Sequence, residues 1–177
     1  MRSGITNAMT QSDKFIFLDI DGVLNNRRTH TVKPYDVPGI SKCNLDVLKE
    51  IAERTGTRPV LISDWRLSFD SRDHKQAMAG YITKKLLSIG LTLDLVSTEY
   101  RYSDRTLDIK HWIESHPTSG YVILDDMDFD GYCDPAVYPH WIRPDSKKGL
   151  VPAHADEAVR IMDGPVTHIT YRERSIL

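Results

Sequence analysis

Residues 15–24, Phe-Ile-Phe-Leu-Asp-Ile-Asp-Gly-Val-Leu, constrain this chain more than any other stretch. Four β-forming apolar residues run without polar alternation, the pattern of a strand buried on both faces. Two carboxylates, Asp19 and Asp21, follow at once, and then Gly22. Strands buried on both faces belong to parallel sheets, which hold their ligands at the strands' carboxyl ends. Asp19 and Asp21 fall at that end. Burying one carboxylate is costly, and a second beside it more so, unless a cation or a bound proton compensates.

The rest of the chain alternates short β-like runs with helical patterns. After the first strand, Phe15 to Asp19, the polar stretch Asn25 to Ser41 contains Pro34, Pro38 and Gly39 and reads as a loop. Asn44 is placed to cap a helix with apolar positions Leu45, Leu48, Ile51 and Ala52, stopped by Gly56. Pro59 to Ser63 is the second strand. A helix over about Asp73 to Ile89 ends at Gly90, and Leu93 to Ser97 is the third strand. Asp104 caps a helix bearing Leu107, Trp112 and Ile113. Tyr121 to Asp125 is the fourth strand, Tyr138 to Ile142 a fifth, and Ala153 to Met162 a final helix. This alternation predicts an α/β fold: a three-layer, Rossmann-like parallel sheet with right-handed crossovers. Strand order 3-2-1-4-5 sets strands one and four side by side at the centre.

The 177 residues suit one domain, expected over 14–165, with a tail at 1–13 and a C-terminal extension at 166–177. A formal net charge of −2 argues against a generally basic coat for nucleic acid, though not against a local basic patch. Cys43 and Cys133 form neither a metal-type cluster nor a disulfide framework, and both are expected reduced in a cytosolic setting. No apolar run approaches the roughly 20 residues that span a membrane. The first residues lack the apolar core of a signal peptide, so a cytoplasmic location is expected. Nothing in the sequence calls for an obligate protein partner.

Three strand ends carry polar groups that can converge: Asp19 and Asp21, then Ser63 followed by Asp64, Trp65 and Arg66, then Asp125 and Asp126. Acids closing two adjacent apolar strands make a hard-oxygen site, suited to Mg²⁺ rather than zinc. Leu18-Asp19-Ile-Asp21-Gly22-Val-Leu resembles the first motif of the haloacid dehalogenase (HAD) superfamily. Val60-Leu-Ile-Ser63 resembles its second motif, and Val122-Ile-Leu-Asp125-Asp126 its fourth. Ser63-Asp-Trp65-Arg66, Arg105-x-x-Asp108-Ile-x-x-Trp112-Ile and Lys148-Gly149-Leu150 bring the likeness closer to the HAD domain of Swiss Army knife RNA repair proteins.

That resemblance implies a phosphatase that works through an aspartyl-phosphate. Asp19 is then the nucleophile. Asp21 protonates the leaving oxygen and afterwards activates water. Ser63 hydrogen-bonds a phosphoryl oxygen. Asp19, the main-chain carbonyl of Asp21, Asp125 and Asp126 hold Mg²⁺. The third motif is a cation near the start of the helix before strand four. Arg105 takes that role here, with Lys110 as the alternate.

Each residue also has a plainer reading. Trp65 reads first as a packing residue and second as a stacking platform. Arg66 is balanced between a structural ion pair and a substrate contact. A positive rim is expected from Arg27, Arg28, Lys33, Arg66, Arg72, Arg101, Arg105, Lys147 and Lys148, interleaved with Tyr35, Tyr100 and Tyr102; the plain alternative is a solvated loop surface. Arg27 and Arg28 are the expected substrate contacts beside Ser63 and Arg66. The short intervals leave room for only a minimal cap, or none, and so an open cleft. The favoured substrate is a phosphorylated nucleic-acid end or a nucleotide. A small-metabolite or protein phosphatase of the same fold is the alternative, as is a phosphate-binding module without turnover.

Overall fold

Five of the apolar runs become one parallel sheet. The computed structural model describes residues 13–33, 36–70, 76–97 and 104–172. In chain order its elements are β1 (Lys14–Leu18), β2 (Thr31–Val32), β3 (Val37–Pro38), α1 (Lys42–Thr55), β4 (Arg58–Leu61), α2 (Gln76–Leu87), β5 (Asp94–Leu95), α3 (Arg105–Ser115), β6 (Gly120–Leu124), β7 (Trp141–Ile142) and α4 (Pro152–Met162). The sheet order is β5-β4-β1-β6-β7 and every pairing is parallel, which is the predicted order.

Side chains alternate across a strand, so β1 feeds two cores. Ile16 and Leu18 pack with residues of α1, α2 and α4. Phe15 and Phe17 pack with Ile109 of α3, with Tyr132, and with Ile169 near the C-terminus. The connections that step from β1 to β4 to β5 thus carry their helices on one face. The connection that returns to β6 carries α3 on the other, as a constant crossover hand requires.

Several expected elements differ in detail. Tyr138 to His140 is a 3-10 turn, and only Trp141 and Ile142 pair with β6. Pro139 explains this, since it cannot donate to a ladder. The second helix begins at Gln76; its expected first residues lie outside those described. The loop after β1 holds a small antiparallel hairpin, β2 with β3. Among the described residues the other β-pairing outside the main sheet is an isolated bridge between Asp145 and Gly149. Thr167 and Ile169 pack onto the α3 side of the sheet, where Thr167 Oγ1 donates to Ala136 O.

Asn44 does not cap α1. Ser41 is the cap residue, and Asn44 lies inside the first turn, buried. Its amide Nδ2 donates to Val23 O (2.8 Å) and Lys148 O (3.1 Å). Tertiary demand overrides capping preference: the amide joins two loop carbonyls that lie far apart in the chain. Leu150 N also donates to Val23 O, at 2.9 Å. The Lys-Gly-Leu segment is thereby stitched to the turn that follows Asp19. Gly149 has φ 72°, and a Cβ there would overlap Asn44 Nδ2.

Gly149→Ala is therefore expected to cost more than the ~1–2 kcal/mol of a left-handed alanine. Asn44→Ala should cost roughly 1–2 kcal/mol in the native background. It should cost less once Gly149 is alanine, because the Asn44 amide is gone and only the overlap with Val23 O remains. Strict additivity of the two changes in urea unfolding would show that these side chains do not meet.

Candidate active site

The register of the sheet decides what meets at its carboxyl edge. Leu18 is level with Leu61 on one side and Leu124 on the other. Asp19 and Asp125, the next residues of the two central chains, therefore leave the sheet side by side. Asp19 N donates to Leu124 O at 2.9 Å, which locks that alignment. Both carboxylates are buried, 2% and 0% exposed.

One guanidinium lies between them. Arg105 Nη1 donates to Asp125 Oδ2 at 2.7 Å and stands 2.9 Å from Asp19 Oδ1. The second contact is coulombic without hydrogen-bond alignment, so Asp19 Oδ1 remains without a donor. Arg105 is the first residue of α3. Asp104 caps that helix, accepting from Thr106 N and from Gly131 N, both at 2.8 Å. The cap thus anchors the guanidinium's own backbone. The ring of Phe129 lies 4.9 Å beneath the guanidinium. Lys110 lines a separate cavity with Ile113, Glu114, Pro117 and Val166–Ile169. The structure brings Arg105, and not Lys110, to the acids.

Three donors reach the Asp125 carboxylate and leave it a free lone-pair site. Its Oδ1 accepts from Met127 N (2.9 Å), and its Oδ2 from the Tyr132 hydroxyl (2.9 Å) as well as from Arg105. Trp141 Nε1 donates to its main-chain oxygen at 2.8 Å. Neither Tyr132 nor Trp141 was marked by any sequence spacing. A buried aromatic with a polar tip needs a partner, and that need was the available signal.

Asp21 is exposed, yet it is held. Three backbone hydrogen bonds to Ile20 O, from Val23, Leu24 and Asn25, curl the chain after β1. Gly22 has φ 71°, and a Cβ there would overlap the carboxylate of Asp126. Glycine is therefore required both for the turn and for the approach of Asp126. Trp65 Nε1 donates to Asp21 Oδ2 at 2.8 Å, and Asn25 Nδ2 to Asp21 Oδ1 at 2.7 Å.

Ser63 is buried at the end of the segment that follows β4, and its hydroxyl reaches the Asp19 carboxylate. Arg66 corrects an expectation. It is 1% exposed, and its guanidinium donates to Ile62 O (2.6 Å), Ser97 O (2.9 Å) and Asp108 Oδ2 (3.1 Å). Breaking a buried pair costs about 3–5 kcal/mol, far more than an exposed pair is worth, so the Arg66 guanidinium is held inside on the protein's own acceptors, the structural ion pair of its two readings. Arg27 and Arg28 are exposed in the turn after Asp21. Asn26 Nδ2 donates to Lys148 O at 3.1 Å, which joins that turn to the loop bearing exposed Lys147 and Lys148. Lys33 pairs with Asp36. Tyr35, Arg72, Tyr100, Arg101 and Tyr102 lie outside the described residues.

The electrostatics follow from burial. Burial, reinforced by Asp125, pushes the Asp19 carboxyl up to about 7, against the pull of Arg105 and Ser63. Burial raises Asp125 too, and burial with the charge of Asp125 raises Asp126. Burial opposes the charge of Arg105, but Asp19 and Asp125 outweigh it and hold the guanidinium protonated. Asp19, Asp125 and Asp126 each offer one oxygen within 4.8 Å of the others. An all-carboxylate donor set, one of whose buried oxygens lacks a donor, fits a hard divalent cation such as Mg²⁺.

One family model matches residues 15–155, and its description is the HAD domain in Swiss Army Knife RNA repair proteins. Searches of curated proteins and of solved structures returned no match. Among the described residues no helix is long and apolar enough to cross a membrane.

A carboxyl held high in the folded state binds its proton more tightly there than in the unfolded chain. Asp19's contribution to stability is thus present below 3.8 and is lost as pH rises through about 7. In chelator, Asp19→Asn should gain thermal stability relative to the native protein as pH rises from about 5 to 8. Added Mg²⁺ should stabilise the native protein more at the higher pH, since protons compete for the same oxygens. A wild-type to variant difference that is flat with pH would contradict the assignment.

Proposed function

The chain belongs to the family of HAD domains found in Swiss Army Knife RNA repair proteins, and from that premise we propose that it is a Mg²⁺-dependent phosphomonoesterase working through an aspartyl-phosphate on Asp19. The observation that carries this reading is the pairing of buried Asp19 and Asp125 around Arg105 at neighbouring strand ends. A nucleophile needs an ionised carboxylate, and Arg105 pulls Asp19 towards that form against its burial.

In the first step Asp19 Oδ attacks phosphorus and the bond to the leaving oxygen breaks. Asp21 delivers its proton to that oxygen, so the substrate departs as an alcohol. In the second step Asp21, now ionised, takes a proton from water. The water oxygen bonds to phosphorus, the acyl-phosphate bond breaks, and its electron pair returns to Asp19. The ester is hydrolysed with one water consumed, and both acids recover their starting states. Ser63 holds a phosphoryl oxygen through its hydroxyl. Arg105 compensates the negative charge of Asp19 as the phosphate approaches. Asp19, Asp125, Asp126 and the main-chain carbonyl of Asp21 would hold Mg²⁺, which lessens repulsion between nucleophile and phosphate and stabilises charge in the transition state.

The favoured substrate is a phosphorylated nucleic-acid end, with a nucleotide next. Three features support it: the family's printed description, the small size of the hairpin described after β1, and the exposed Arg27, Arg28, Lys147 and Lys148 on two joined loops. Phosphate contacts of that kind weaken with salt. A small-metabolite or protein phosphatase, or a module that binds phosphate without turnover, are the other outcomes of the same screen.

In a Mg²⁺-dependent assay on phosphomonoesters, oligonucleotides phosphorylated at either end should be hydrolysed. Asp19→Asn should lose at least about 10³-fold in turnover while keeping its fold. Retained activity in that variant would remove Asp19 from the nucleophile's place. Arg105→Met should cut activity by about 10²-fold and Arg105→Lys by less, whereas Lys110→Ala should leave it unchanged. The Michaelis constant for an oligonucleotide phosphate should rise with salt, more steeply than for a small aryl phosphate. Salt independence would reject the basic rim.

A further inference from the structure

We infer that the Trp65 indole and the Asn25 amide form a clamp that holds the Asp21 carboxylate in one orientation, which makes Trp65 a positioning residue for both proton transfers. The inference rests on the proposed phosphatase reading and adds residues to it.

Asp21 is exposed, and an exposed aspartate ordinarily samples several rotamers. Here each of its oxygens has a buried donor. Trp65 Nε1 lies 2.8 Å from Oδ2, and Asn25 Nδ2 lies 2.7 Å from Oδ1. Trp65 is 5% exposed and belongs to the apolar core between the sheet and α1. Its main chain is tied into the 3-10 turn after Ser63, where its carbonyl accepts from Ser68 Oγ at 2.7 Å. Asn25 is equally buried. Its Oδ1 accepts from Gly22 N at 3.0 Å, and its Nδ2 also reaches Pro38 O at 3.4 Å, at the end of β3. Both donors are therefore fixed before any substrate arrives.

The direction of the indole is the informative point. A core tryptophan can spend its N–H on a nearby carbonyl. This one spends it on a solvent-exposed acid at the mouth of the cleft. A carboxylate has about four lone-pair sites, and the clamp uses two. One site on each oxygen is left to carry the reacting proton. Orientation matters twice in the cycle, because the same group gives a proton to the leaving oxygen and later takes one from water. Loss of alignment in such a group costs up to about 10²-fold in rate.

The test separates alignment from packing. Trp65 is replaced site-specifically by β-(3-benzothienyl)alanine, which keeps the ring's shape and lacks the N–H, and separately by phenylalanine. Melting curves check the fold. The probes are p-nitrophenyl phosphate, whose phenolate leaves without a proton, and glycerol phosphate, whose alkoxide does not. With both variants, turnover of glycerol phosphate should fall about 10–100-fold at unchanged KM. The first turnover of nitrophenyl phosphate should keep its rate while later turnovers slow, giving a nitrophenolate burst equal to the enzyme present. A first turnover slowed as much on nitrophenyl phosphate as on glycerol phosphate, or no loss on either, would overturn the clamp. If Trp65→Phe does not fold, the isosteric replacement decides. Asp21→Asn distinguishes the two levels. Unimpaired turnover in that variant removes Asp21 from acid–base work and with it the reading beneath. A burst in Asp21→Asn without one in the Trp65 variants removes the clamp alone.

Discussion

Everything at the carboxyl edge of this sheet depends on two buried carboxylates sharing one guanidinium. Asp19 and Asp125 come from adjacent strands whose parallel register leaves no other place for them. Two anions at that separation cannot both stay ionised in a desolvated site without a cation. Arg105 supplies one positive charge for two negative ones, and burial of Asp19 and Asp125 leaves their carboxyls raised even so. The residual negative charge, with the nearby oxygen of Asp126, is what makes the site a natural cradle for a divalent ion.

Around that centre the chain uses hydrogen bonds to immobilise each acid in a different way. Asp125 is enclosed, with Met127 N, Tyr132 and Arg105 on its oxygens. Asp21 is open to solvent but gripped from beneath by Trp65 and Asn25. Asp126 is half-buried and comes up against Gly22, where any side chain would displace it. A buried acid held by three donors suits a charge fixed in one place. An exposed, oriented one suits exchange of protons with substrate and water.

The arginines divide along the same physical line. Arg66 is buried and Arg105 half-buried, and both hold acids. Arg66 ties the turn after Ser63 to Asp108 of α3 and to Ser97, so it helps bring the third and second strand ends together. The exposed cations are on the turn after Asp21 and on the Lys147–Lys148 loop, joined through Asn26. The stitch of Asn44 and Gly149 holds that second loop against the first. The short Lys-Gly-Leu signal thus has a structural role: glycine is needed where the backbone meets an amide of α1.

Much of this was legible from local pattern. Uninterrupted β-forming runs and capped helices specify strands and helices because their periods differ, and alternation of the two leaves a parallel sheet with central strands one and four. The acids at strand ends were legible because polar groups that close apolar runs have a single edge to occupy. Asp104 was legible as a cap, since that role depends on its immediate neighbours. Asn44 was not, because its amide answers carbonyls at Val23 and Lys148, far along the chain. Nor could spacing tell whether Arg66 faces substrate or core, or that Trp65 reaches back to Asp21. By itself the sequence determined the elements, their order and the acids at the sheet edge, all set by residues next to one another. Only the tertiary structure decided which donor meets which acid, because a hydrogen bond between distant segments depends on packing that no local pattern contains.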